Sequence, residues 1–103
     1  MHPVVERFIR YIKIDTQSAR KAETFPSTQK QFNLANLLVE ELRELSLADA
    51  AVDEFGYVTA TLPANTDRED VPVVGFLAHM DTSPDFSGEG VNPQFVENYD
   101  GGT

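Results

Sequence analysis

The 103-residue chain has no cysteine, no tryptophan and only two histidines. Without cysteine it can build neither a disulfide framework nor a thiolate cage for a metal. Positive charge is scarce too: 8 Lys and Arg stand against 17 Asp and Glu, a formal net charge of −9. That field repels phosphate backbones, and no basic stripe with interleaved aromatics offsets it, so nucleic acid is not an expected partner. The acidity reads most simply as solubility. No apolar run approaches the about 18 residues of a membrane span. Glu6 and Asp15 interrupt the opening segment, which suits neither a signal peptide nor an acid-poor transit peptide; the expected compartment is the cytoplasm. What is present is an ordinary globular composition, 41% hydrophobic with 10% aromatics. It is enough for one small domain with one core.

The hydrophobic period changes along the chain. Val5, Phe8, Ile9 and Ile12 recur at helical spacing, which predicts an amphipathic helix over about residues 3–14. A polar loop, 15-DTQSARKAETFPST-28, follows. Thr28 with Gln31 three residues later has the form of a capping box, and Leu34, Leu38, Leu42 and Leu45 continue an apolar face. A second helix is expected over about 28–46, with no glycine to close it. In 57-YVTATL-62 the apolar residues alternate, as in a half-buried strand that could pair with the neighbourhood of Val52 through a connection containing Gly56. After the loop 63-PANTDREDVP-72 comes 73-VVGFLA-78, apolar at nearly every position. Such a run predicts a strand covered on both faces. A doubly covered strand needs more layers than two helices and a hairpin provide, and everything after Asp81 is loop-like. The reading is therefore α/β, as the leading part of a larger domain.

The apolar run ends on His79 and Asp81. Side chains at i and i+2 of a strand share a face, so extended geometry would set the carboxylate beside the imidazole while Met80 points away. Neutral imidazole is a common metal ligand, and an adjacent carboxylate fixes its tautomer and orientation. Ligands of open α/β sheets also bind beyond the carboxyl ends of strands. The plainer alternative is a histidine ending a strand with Asp81 bonded to loop amides. His2, at a chain end prone to fraying, reads as solvated surface. The loop acids Asp85, Glu89, Glu97 and Asp100 read as solvated as well. A catalytic zinc takes about three protein ligands plus an open position, which one histidine and one carboxylate do not supply. Two other readings stay open. The triplet Asp81-Thr82-Ser83 after an apolar strand has the form used by homodimeric aspartic proteases, although two amphipathic helices do not belong in such an all-β enzyme. A non-enzymatic acidic interaction module is the other.

The stretches 15-DTQS-18, 26-PST-28, 61-TLPAN-65, 79-HMDTSPDFSG-88 and 91-VNPQFVENYDGG-102 closely resemble the dinuclear-zinc exopeptidases, a family that includes aminoacylase and carboxypeptidase G. The resemblance implies a three-layer α/β/α catalytic domain, of which residues 1–103 would be the N-terminal segment, incomplete, with an inserted lid and dimerisation domain and the rest of the sheet absent. It implies a metal-assisted aminopeptidase acting on tripeptides, with two zinc ions per site, a bridging water and a glutamate as general base. By the same resemblance His79 is the first zinc ligand, and Asp81 is the catalytic-site acid that orients it. The remaining ligands and the base would lie after residue 103. The chain alone is then expected to be inactive and to expose the edge of strand 73–78, through which it could form a homo-oligomer.

Overall fold

A computed structural model of the chain describes residues 1–102, and its first element is helix α1, Pro3–Ile12. Proline at the helix start has no amide to leave unpaired, and Nδ1 of His2 accepts from the Val4 amide at 3.2 Å. His2 is thus exposed, as expected, but it caps a helix rather than fraying. The helix is two residues shorter than its pattern predicts. Its apolar stripe is covered only in part: Ile9 and Ile12 are half-buried, α1 has no buried residue, and Phe8 is 61% exposed.

The second helix, α2, spans Gln31–Glu44. It starts three residues later than predicted because the capping-box pair is otherwise engaged. The Thr28 hydroxyl donates to the Gln17 carbonyl at 2.8 Å, and the Gln31 side-chain amide donates back to that hydroxyl at 3.0 Å. The C-terminus closes without glycine. Ser46 takes the left-handed conformation (φ 70), the Ser46 amide donates to the Arg43 carbonyl and the Leu47 amide to the Leu42 carbonyl. This is the paired 5→2 and 6→1 pattern of a Schellman cap. Leu34, Ala35 and Val39 of α2, with Ala50, form the small buried apolar core. Leu38 and Leu42 are half-buried and Leu45 is exposed, so the predicted apolar face is covered along part of its width.

Strands β1 (Ala51–Val52) and β2 (Val58–Thr59) pair antiparallel, Ala51 with Thr59 and Val52 with Val58, and pack on α2. Asp53 builds the connection. Its carboxylate accepts from the Phe55 and Tyr57 amides, both at 2.9 Å, and Gly56 supplies the positive φ of 84 that the turn requires. The hairpin predicted from alternation and Gly56 is present, with shorter strands.

The expected strand 73–78 is not. It carries no ladder, and Val73, Phe76 and Leu77 are 97–99% exposed. A strand forms by pairing, and among the described residues no neighbour offers its backbone to this run. The buried central strand is therefore corrected to an uncovered apolar segment. The dimensions agree. The radius of gyration is 17.1 Å against about 13 Å for a compact chain of this length. The accessible surface is 8751 Å², against about 5,800 Å² expected for a compact protein of this mass. The α/β mixture is observed, while two helices and one hairpin do not make three layers. No helix is long and apolar enough to cross a membrane among the described residues.

Candidate functional site

His79 and Asp81 meet as their spacing predicts. His79 Nδ1 lies 2.9 Å from Asp81 Oδ1, with the imidazole 83% exposed and the carboxylate 41% exposed. A carboxylate only accepts, so the proton of a neutral imidazole resides on Nδ1 and Nε2 keeps its lone pair free. The pair faces an open cleft of about 1160 Å³ whose walls include Tyr11, Leu38, Leu42, Phe76 and Leu77.

The contact does not depend on a regular strand. A parallel bridge joins Gln17 to Thr82, and hydrogen bonds run on both sides of it. The Thr82 amide donates to the Thr16 carbonyl at 3.2 Å, and the Ser18 amide and hydroxyl donate to the Thr82 carbonyl at 3.0 and 2.9 Å. The Thr16 hydroxyl donates to the Met80 carbonyl at 2.7 Å, and the Gln17 side chain to the Pro84 carbonyl at 3.1 Å. Thr16 is 2% exposed. Asp15 ties the same loop to the start of α2: it accepts from Lys30 Nζ at 2.8 Å and from the Gln17 amide at 3.0 Å. Those two bonds, the lysine's first, hold the Asp15 carboxyl below its ordinary value.

The loop acids bring no further ligand. Asp85 pairs with Arg20, Asp100 accepts from the Gly102 amide at 2.9 Å, and Glu89 and Glu97 are exposed. Among the described residues no three His, Asp or Glu side chains converge on a point where a metal could sit. The residues present thus fit one ligand and its orienting partner, not a complete zinc site. The aspartic-protease reading finds no support in the architecture, since α1 and α2 are present and Asp81 is bonded to a histidine rather than aligned with a second aspartate. Sequence reasoning missed Thr16, Gln17 and Ser18. Their partners lie 64 to 67 residues away, and a polar loop carries no periodic signal of such a contact.

No protein-family model matches the chain. Individual proteins do. It is 59% identical over 99 residues to a protein named Peptidase T from Geobacillus thermodenitrificans, covering 96% of this chain and 24% of that one. It is 56% identical over 98 residues to Peptidase T from Bacillus subtilis, covering 95% and 24%. The protein of the same name from Aliivibrio fischeri is 59% identical over 101 residues, covering 98% and 24%. The chain spans about a quarter of the length of the curated relatives it matches, and the match falls in their N-terminal portion.

Proposed function

We propose, from the premise that this chain is a relative of the N-terminal portion of peptidase T, that it carries the first metal-ligating half-site of a zinc-dependent aminopeptidase acting on tripeptides. The observation that supports this reading is the His79–Asp81 pair, which leaves Nε2 of an exposed imidazole available at the wall of an open cleft. His79 is the ligand in this reading. Asp81 holds the Nδ1 proton, fixes the tautomer and sets the ring's direction. A zinc held there supplies Lewis-acid polarisation of the scissile carbonyl and activation of water. The general base and the other ligands lie outside the described residues, so the chain alone is inactive in this reading. Its setting is the cytoplasm.

Zinc titration of the isotopically labelled chain tests the assignment. The expected result is weak binding that moves the His79 ring resonances and vanishes in His79→Ala. Zinc that moves other residues and leaves the His79 ring unchanged would sink the assignment. Zinc-dependent release of N-terminal residues from a tripeptide by the chain itself, lost in His79→Ala, would show that it is catalytically complete.

A further inference from the structure

We propose that the 15–18 loop is a positioning clamp for Asp81, with Thr16 as its central residue, so that the orientation of the His79 imidazole is set by a loop far upstream in the sequence. The inference rests on the reading of His79 and Asp81 as ligand and orienting acid, and it adds the residues that hold them.

Thr16 bonds to both peptide groups that flank the Asp81 α-carbon. Its hydroxyl donates to the Met80 carbonyl at 2.7 Å, fixing the peptide plane before Asp81. Its carbonyl accepts from the Thr82 amide at 3.2 Å, fixing the plane after it. With both planes held, φ and ψ of Asp81 have little freedom, so its Cα–Cβ bond leaves the backbone in one direction and the rotamer that reaches His79 Nδ1 is available from a fixed origin. The two bonds radiate from a residue that is 2% exposed, where water competes poorly for them. Ser18 repeats the device one step further on, with its amide and hydroxyl both on the Thr82 carbonyl, and the Gln17 side chain on the Pro84 carbonyl extends it.

Close packing marks the same junction. A Cβ added at Gly88 would come 2.7 Å from Asp15 Oδ1 and 3.3 Å from Thr82 Oγ1, so the return of the 79–88 loop passes where only glycine fits unless Asp15 moves. Asp15 is itself held by Lys30. The segments 15-DTQS-18 and 79-HMDTSPDFSG-88 therefore form one structural unit. Residues 73–77 just upstream are exposed and form no strand, so no ladder there orients the pair.

The test uses the full chain with Thr16→Val, which keeps size and backbone but removes the hydroxyl, and Thr16→Ser, which keeps it. Nitrogen-15 NMR of the neutral imidazole reads the His79 tautomer, and amide exchange reads the Thr82 bond. Thr16→Val should move the tautomer population away from Nδ1–H. Because the released Met80–Asp81 peptide loosens the adjacent Thr82 bond to the Thr16 carbonyl, it should also speed Thr82 exchange by up to about tenfold, the most that the lost hydroxyl bond contributes. Thr16→Ser should leave both near the parent. An unchanged tautomer in Thr16→Val overturns the proposal, as does equal loss in Thr16→Ser. Should Thr16→Val also unprotect the amides of α2, Ser18→Ala replaces it. That variant loses only the side-chain bond to Thr82; a smaller shift in the same direction supports the clamp and an unchanged tautomer overturns it. No metal enters these readouts. A zinc titration that misses His79 would therefore refute the functional reading while leaving the clamp standing, and the converse result would do the reverse.

Discussion

Replacing Glu41 by alanine should release α1 from α2 without unfolding the rest. Helix α1 buries no residue, and its polar ties to α2 converge on this one carboxylate: Arg10 donates from Nε at 2.8 Å and from Nη2, and the Tyr11 hydroxyl donates to the other oxygen. The Arg10 side chain is 46% exposed, so solvent screens its pair with Glu41 and it adds little to the tie. The Tyr11 bond falls on a carboxylate only 13% exposed and contributes about 1.5 kcal/mol, as hydrogen bonds to charged groups do. A loss of about 1.5 kcal/mol corresponds to about a tenfold rise in the opening of α1. Amide hydrogen exchange resolves this by element. The α1 amides should lose protection by that factor, while those of α2 near Leu34, Ala35 and Val39 change less than twofold. Equal loss in both helices would refute the reasoning, because it would make Glu41 part of one cooperative core. No change in α1 would refute it as well, because it would mean the apolar stripe holds the helix.

Acid should loosen the chain in a defined direction. Asp15 and Asp49 are held below their ordinary values, by Lys30 and by Thr61 respectively. Burial pushes the Glu41 carboxyl up, but its bonds from Tyr11 and Arg10 outweigh that and leave it depressed. A carboxyl with a lowered folded-state pKa contributes stability that is present above its unfolded value of about 4 and is lost as pH falls through the folded one. Circular dichroism should therefore hold steady above about pH 5 and decline below about pH 4, and Glu41→Gln should flatten part of that decline. Gly56→Ala should cost about 1–2 kcal/mol from backbone strain alone, since φ is 84 and the new methyl would meet the Pro26 ring at an unstrained 3.5 Å; urea denaturation measures it. Leu77→Asp should change stability by less than about 0.5 kcal/mol, because the side chain is 97% exposed, and should reduce binding of an apolar dye. A drop of several degrees in Tm for that variant would show that residues 73–78 are covered in solution.

Local rules were enough to read both helices and the hairpin. The i, i+3, i+4 spacing of Val5, Phe8, Ile9 and Ile12 and the leucines of α2 record helical period whether or not anything packs on them, so helix type was legible while burial was not. The strand at 73–78 was misjudged for the complementary reason. Its composition records what a run of Val, Phe and Leu would cover, but pairing needs a second backbone, and among the described residues none is there. The site was half legible. His79 and Asp81 are two apart, and either an extended segment or a clamped loop brings them together. Thr16 could not be found, since its signal is a contact across 64 residues between two polar stretches.

The uncovered surface also shapes how the chain gives up its structure. By surface scaling it withdraws only about three quarters of the area from water that a compact chain of this mass would, and much of the shortfall is apolar, at Val73, Phe76, Leu77 and Phe86. Heat capacity and denaturant sensitivity both follow the area newly wetted on unfolding. The melting transition should accordingly be broad, the denaturant slope shallow and the stability curve flat across temperature. Calorimetry would record a low, wide endotherm, and any partner that covers residues 73–77 would sharpen it.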